Sequence, residues 1–346
     1  MTQKAVIVKS PKQAILATDN PVPSLRDDYI LVKNVAVALN PTDWKHVDFL
    51  APRGVTVGCD YAGIVEEVGP KVKKEFRKGD RICGFVHGSN AVQPEDGAFA
   101  ERIVAKGDVQ MHIPDNLSFQ QAATLGVGII TVGQGLYQSL KLAWPTEPLK
   151  EPEPLLIYGG STATGTLAIQ FAKVSGYTVW TTCSPHNFPM MKQLGADHVF
   201  DYKAPNAASE IRTLTNNSLK LAFDTISIES SAQFCGEALS SDGGEYSNLL
   251  SAKVPHKNVK SRSTLGYTVL GEAFDFGSTP IPERPQDKAF TEKWIPVAER
   301  LLAEGRIRPH PPCQRTGGLQ GVLDGMQEMR EGKVSGEKLV YNVDDK

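Results

Sequence analysis

The run Leu155-Leu156-Ile157-Tyr158 leads directly into Gly159-Gly160-Ser161-Thr162-Ala163-Thr164-Gly165 and then into a helical apolar pattern over 166–175. A strand that turns through glycines into a helix start presents free backbone amides, and the positive end of the helix dipole, to a pyrophosphate. The loop departs from a strict G-x-G-x-x-G. Thr162, Ala163 and Thr164 stand where glycines are usual, and the hydroxyls of Ser161, Thr162 and Thr164 offer further donors to phosphate. A phosphoryl-transfer loop fits Gly160 and Gly165 but requires a lysine where Thr166 stands. A plain tight turn is the remaining alternative.

Past the loop, a second β pattern over 177–182 ends in Cys183-Ser184-Pro185-His186-Asn187. An NAD site places an acid about 20 residues beyond the loop to hold the ribose hydroxyls, and that carboxylate repels a 2′-phosphate. No acid occurs there. The group Ser184, Pro185, His186 and Asn187 carries no negative charge, so NADPH is the expected cofactor. Tyr202, after the third strand, either lies along the adenine or packs. Leu249 and Leu250, at the end of the fifth strand, are grouped with the cofactor contacts.

Positioning such a loop takes a sheet. Apolar segments at 155–158, 178–182, 198–202, 219–224 and 245–250 alternate with helical periods at 164–175, 188–194, 207–215 and 230–239, the pattern of a doubly wound parallel sheet. Upstream, short β-branched runs at 5–9, 29–39, 63–68, 81–86 and 99–105 alternate with Gly, Pro and Asp turns, which predicts a small β-rich domain. Pro145, Pro148, Pro152 and Pro154 mark an exposed connection, and a second proline-rich stretch at 279–286 ends the sheet region. Amphipathic helices near 290–304 and 319–331 and a last strand at 338–343 follow. A chain of 346 residues exceeds the size at which one core stops growing. The expected organisation is α/β in two domains, a β-rich one and one built on the doubly wound sheet.

Composition narrows the function classes. The 37 basic and 39 acidic residues are spread along the chain, so the net charge of -2 leaves no electrostatic footprint for nucleic acid. No apolar run approaches the roughly 20 residues of a membrane span. Met1 is followed by Thr2-Gln3-Lys4 and not by a secretory signal, so a cytoplasmic protein is expected. Cys59, Cys83, Cys183, Cys235 and Cys313 are odd in number and far apart, which argues for free thiols and against a disulfide framework or a C-x-x-C clip.

With these residues in hand, the chain resembles the medium-chain dehydrogenase/reductase superfamily over essentially its whole length. The resemblance rests on Asn40-Pro41-Thr42-Asp43-Trp44-Lys45, Gly58-Cys59-Asp60-Tyr61-Ala62-Gly63-Ile64-Val65, Gly79-Asp80-Arg81-Ile82, Leu194-Gly195-Ala196-Asp197 and Gly336-Glu337-Lys338-Leu339-Val340. More narrowly, Tyr158 to Thr164 as quoted, Cys183-Ser184-Pro185-His186-Asn187-Phe188 and Phe200-Asp201-Tyr202-Lys203-Ala204-Pro205-Asn206 are similar to the trans-acting enoyl reductases that serve fungal polyketide synthases and polyketide-peptide hybrids.

That resemblance implies a GroES-like β-rich catalytic domain, from 1–127 and 287–346, plus a Rossmann cofactor domain from 128–286. It also implies NADPH-dependent reduction of an α,β-unsaturated thioester carried by a polyketide synthase acyl-carrier domain, and a monomer. Thr42, Asp43, Trp44 and Lys45 then face the nicotinamide half, with Lys45 as the cation at the reacting centre. Thr131 corresponds to a position beside the nicotinamide, and Val334 and Ser335 to a segment that returns to the cofactor. Zinc alcohol dehydrogenases of the superfamily hold metal through a Cys near N-P-x-D and a Gly-His-Glu motif. Here those positions read Asn40 and Gly58-Cys59-Asp60, too few for the three or four ligands zinc takes, so no metal is expected.

Two stretches rich in Gly, Thr and apolar residues suit a wall that admits an acyl chain: Gly126, Val127, Gly128, Ile129, Ile130, Thr131 and Val132, and then Leu265, Gly266, Tyr267, Thr268 and Val269. Equally, they are loops packed on themselves. In the implied reaction, hydride goes to the β-carbon, charge gathers on the thioester oxygen, and a proton reaches the α-carbon. Two alternatives share every cofactor residue: an NADPH quinone or enone reductase for free small molecules, and a dinucleotide-binding protein without catalysis.

Overall fold

The computed structural model describes residues 1–345 of the chain. Its contacts divide it into two units, one of residues 1–130, 267–303 and 309 onward, the other of 131–266 and 304–308. The boundary differs from the one sequence alone suggests. Residues 267–286 group with the β-rich unit, because the ring of Tyr267 stacks on His87 of that unit with centroids 4.2 Å apart.

The β-rich unit is organised around a seven-stranded sheet. Tyr29–Ala38 lies at its middle, flanked by Lys338–Asn342, Asp60–Val68 and Arg102–Lys106, with Pro312–Arg315, Arg81–Phe85 and Met111–His112 further out. Alternation along these strands turns Ile30, Val32, Tyr61, Ile82, Ile103 and Leu339 into one core, shared with Val6 and Val8 from the hairpin of Thr2–Ser10 and Gln13–Pro21. The antiparallel register sets Ala38 against both Asp60 and Val340, so residues 40 and 60 and the start of the last strand converge at one edge.

At that edge the chain forms helix Pro41–Phe49, which β-branched patterning did not anticipate. Its start signals are local. Asn40 is the N-cap, Pro41 occupies the first turn where its missing N–H is harmless, and Asp43 reaches back to accept from the Asn40 amide at 2.6 Å. The stretch at 126–132 is not a loop; it is helix Gly126–Val132, continued by a π-helical segment Gly133–Ser139.

The second unit holds six parallel strands in the order His198–Asp201, Thr178–Cys183, Pro154–Tyr158, Leu221–Asp224, Gly244–Asn248 and Val259–Ser263. Numbered along the chain, this is 3-2-1-4-5-6, the doubly wound order whose switch point lies between the first and fourth strands. The sixth strand escapes sequence patterning because Val-Lys-Ser-Arg-Ser has one apolar residue; as an edge strand it buries little. Helices Ala163–Val174, Phe188–Gln193, Ala207–Leu214 and Glu229–Ala238 make crossovers between the first five strands, and Leu156, Ile211, Ala222 and Tyr246 pack a common core.

Candidate functional site

Tyr158 ends the first strand of the doubly wound sheet, and the three glycines after it are each required by a neighbour. Gly159 has φ +82°, and a Cβ there meets Thr225 Oγ1 at 2.5 Å. A Cβ on Gly160 would lie 2.2 Å from Thr181 Oγ1, and one on Gly165 would lie 2.2 Å from the Gly159 carbonyl oxygen. The turn is therefore drawn tightly against the strands beside it. Thr162 is the N-cap of helix Ala163–Val174: its Oγ1 accepts from Gly165 N at 2.9 Å and touches Thr225 Oγ1 at 3.0 Å. That hydroxyl, expected from sequence to face phosphate, is committed to the helix cap and to Thr225.

The amides of Ser161, Ala163 and Thr164 have no acceptor among the described residues, and all three residues are partly exposed. Three free N–H groups at a helix start, on a loop whose glycines leave no side chain in the way, fit a dinucleotide diphosphate. The other cofactor residues expected in this unit follow the ends of neighbouring strands of the same sheet. Tyr158 pairs with Thr182 and Asp201 with Cys183, so Ser184 to Asn187 and Tyr202 emerge on either side of the strand ends. Ser184 precedes a 3-10 turn, Pro185–Asn187, in which Pro185 and His186 are exposed and Asn187 is buried. Tyr202 is exposed, its ring edge-on to Tyr158 at 6.4 Å. Leu249 N donates to Ser227 Oγ at 2.8 Å, and Leu250 is exposed beside it. Two residues here were not singled out from sequence. Thr225 ties the loop down by donating to the carbonyls of Tyr158 and Gly159, and Lys203 holds its ammonium 5.6 Å from the Tyr202 ring centroid.

In the β-rich unit, helix Pro41–Phe49 separates the residues that sequence grouped together. Lys45 is half-buried, its pKa pushed down by burial alone; among the described residues it has no ion pair or hydrogen bond, only the Trp44 ring 5.7 Å away. Asp43, grouped with the cofactor contacts, is instead 2% exposed, and one carboxylate oxygen caps the helix. Burial pushes its pKa up to about 7, and its other oxygen is buried without a partner. Trp44 packs on the core under Arg330. Thr42 Oγ1 lies 2.8 Å from the Tyr267 hydroxyl and 3.0 Å from His46 Nδ1. Since His46 Nδ1 is also 2.9 Å from the Thr42 carbonyl, which only accepts, that nitrogen carries the proton.

The expected substrate residues are mostly interior. Gly126, Gly128, Ile129, Ile130, Thr131 and Val132 are buried in their helix, leaving Val127 partly exposed. Leu265 and Gly266 are partly exposed, but Tyr267, Thr268 and Val269 turn inward in a 3-10 segment, Gly266–Leu270. Thr131, set beside the nicotinamide by resemblance, is 8% exposed. Val334 packs half-buried on the β-rich core and Ser335 is exposed.

Asn40, Cys59 and Asp60 do not fit a metal ion. The Asp60 carboxylate is occupied by the Lys338 ammonium, by Asn40 Nδ2 at 3.0 Å and by Val127 N at 2.6 Å. Among the described residues no three His, Cys, Asp or Glu side chains gather as a ligand group. No helix among them is long and apolar enough to cross a membrane.

A β-rich unit joined to a doubly wound sheet with a glycine turn at its first strand defines a two-unit dehydrogenase of the GroES-like type. Residues 26–115 match the alcohol dehydrogenase GroES-like domain, and 163–247 match the family described as zinc-binding dehydrogenase. The chain is 49% identical to the trans-enoyl reductase resD of Aspergillus sclerotiorum, covering 98% of this chain and 100% of that protein. It is 65% identical to the trans-enoyl reductase TOXD of Cochliobolus carbonum over 79% of this chain and 92% of that one. Among solved structures, an alcohol dehydrogenase superfamily protein from Novosphingobium aromaticivorans superposes with a TM-score of 0.82 at 22% identity, covering 99% and 100% of the two chains. The CurK enoyl reductase gives 0.76 at 17% identity over 99% of each. The chain belongs to the trans-enoyl reductase family of medium-chain dehydrogenases/reductases, and reductases of this superfamily use a nicotinamide cofactor.

Proposed function

We propose that this enzyme uses NADPH to reduce the α,β double bond of a polyketide thioester presented by the acyl-carrier domain of a separate synthase. The observation that carries the proposal is the set of free amides at Ser161, Ala163 and Thr164 on a glycine turn that three neighbours hold tight. Those amides would hold the diphosphate. The acid-free turn at 184–187, with Lys203 on the adjoining strand end, favours a 2′-phosphate over a bare ribose. When bound, the dihydronicotinamide supplies hydride for the β-carbon of the enoyl group.

The chain's own residues do the rest. Negative charge gathers on the thioester oxygen, and a fixed donor in a partly desolvated setting lowers the energy of that state far more than water does. Lys45 suits this role because, among the described residues, its half-buried ammonium has no carboxylate to neutralise it. Thr42 and Asp43 act differently: Asp43 caps the helix that carries Lys45, and Thr42 is held between His46 and Tyr267. The carrier domain as partner is supported by the names of the relatives, trans-enoyl reductases from several fungi.

Incubating the protein with NADPH and a series of enoyl-pantetheine thioesters, read by mass spectrometry, tests the proposal. A gain of two hydrogens on the acyl chain is the expected result. Turnover of free quinones or enones with every acyl-pantetheine untouched would overturn it in favour of a small-molecule reductase.

A further inference from the structure

The last strand of the β-rich unit carries a lysine into the interior. Lys338 is 3% exposed, and its ammonium donates to the Asp60 carboxylate, to Asn40 Oδ1 at 2.9 Å and to the Thr124 carbonyl at 3.3 Å. The group is fully satisfied. Asp60, with no exposed surface, accepts from Lys338 and Asn40 Nδ2 on one oxygen and from the Val127 amide on the other. His310 is buried nearby, and burial together with the Lys338 charge pushes its pKa down to about 4.

What the pair joins is more informative than the pair itself. Asn40 is the N-cap of helix Pro41–Phe49, which carries Thr42 and Lys45, and its own amide is held by Asp43. Val127 lies in the first turn of helix Gly126–Val132, and Thr124 ends the short helix before it. Gly126 permits the approach: a Cβ there would lie 2.5 Å from Asp60 Oδ1 and 2.1 Å from the Gly84 carbonyl. One buried ion pair therefore sets two helix starts from distant parts of the chain against strand Asp60–Val68.

Such a pair is a poor source of stability. Removing two charges from water costs about as much as their attraction returns, and apolar side chains of similar size often stabilise as well or better. Directional contacts do something that apolar packing does not, since they specify one arrangement. We propose that Lys338 and Asp60 are positioning residues for catalysis: their pairing fixes the first turn of helix Pro41–Phe49 against the first turn of helix Gly126–Val132, and so holds Lys45 where the thioester oxygen develops charge. This rests on the enoyl reductase reading given above and on Lys45 as the oxygen's partner.

The experiment compares wild-type protein with Lys338→Met, Asp60→Leu, the double variant and Lys338→Arg, measuring kcat, KM for an enoyl-pantetheine, NADPH affinity and Tm for each. Either single variant leaves an unpaired buried charge and loses Tm. The double variant regains most of that Tm, yet its kcat stays down by about tenfold or more with little change in KM or NADPH affinity, because small misplacements of a reacting group cost that much or more. Lys338→Arg recovers part of kcat. A double variant that turns over at the wild-type rate overturns the proposal, since the pair would then be structural only. If the double variant does not fold, Lys338→Gln decides: folded by circular dichroism and binding NADPH, it overturns the proposal at wild-type kcat and supports it at a reduced one. Wild-type protein that leaves the thioester untouched removes the reading of the reaction and this proposal with it; the variant outcomes remove the proposal alone.

Discussion

The hydroxyl of Tyr267 lies 2.8 Å from Thr42 Oγ1, joining residues 225 positions apart. The same ring stacks on His87 at 4.2 Å and meets His46 edge-on at 5.3 Å, so one phenol organises the helix that carries Lys45. Burial raises its pKa well above the usual phenol value, which keeps it a neutral hydrogen-bonding group. Tyr267→Phe deletes the buried hydroxyl's contacts with Thr42 Oγ1 and, at 3.7 Å, with Cys59 Sγ and should cost about 1–2 kcal/mol, whereas Tyr267→Ala also empties the stack and should cost about 3–5 kcal/mol. Urea unfolding measures both, and equal losses would mean that the hydroxyl, not the ring, carries the contribution.

Lys45→Ala should lower kcat by about 10²-fold, the usual effect of deleting a donor to a developing oxyanion. Stability should hardly change, because among the described residues the ammonium has no ion pair or hydrogen bond, only the Trp44 ring 5.7 Å away. Burial lowers the Lys45 pKa, so wild-type turnover should fall as pH rises through a value below the ordinary 10.5. Rate profiles of wild type and Lys45→Arg check this: the arginine variant should lose the alkaline limb, and an unaltered limb would assign it elsewhere.

Replacing Ser184, His186 and Asn187 together with alanine should weaken NADPH by about tenfold or more while leaving NADH nearly as before, since only NADPH carries the 2′-phosphate. Asn187 is buried, so a parallel thermal melt separates damage to the turn from loss of phosphate contacts. Adding Lys203→Ala should widen the NADPH loss. Fluorescence titration with both cofactors provides the comparison, and equal weakening of the two would sink the assignment.

Asp43 makes a pH prediction with a definite sign. Its folded pKa of about 7 stands above the ordinary 3.8, so the folded state holds the proton where the unfolded chain has released it. Its contribution is present at acid pH and is lost as pH rises between 3.8 and about 7, then stays level. Asp43→Asn still accepts from the Asn40 amide but does not titrate. The variant should gain stability relative to wild type across that window. Asp96, also pushed up to about 7, contributes its own slope to both proteins and cancels in the difference. Unfolding free energies at pH 5 and pH 8 give the comparison, and a constant difference between the proteins would contradict the shift.

Much of this protein was legible in its amino-acid order. The parallel sheet, the glycine turn after Tyr158 and the acid-free segment at 184–187 are local features, because strand period, turn chemistry and absence of charge are properties of adjacent residues. Helix Pro41–Phe49 was legible in principle through Asn40, Pro41 and Asp43, but the β-branched runs around it masked the signal. Other features depend on partners far apart in the chain. Only the folded chain turns the Thr162 hydroxyl to its cap, sends the Asp43 carboxylate inward, buries the helix at 126–132 and leaves Lys45 without a counter-ion among the described residues. Asp60 and Lys338 belong to quoted motifs 278 positions apart, yet no periodicity indicates that they meet. Residue type and spacing state what a side chain is able to do. Burial and long-range pairing, which depend on how strands stack and helices dock, decide which side chains remain free to do it.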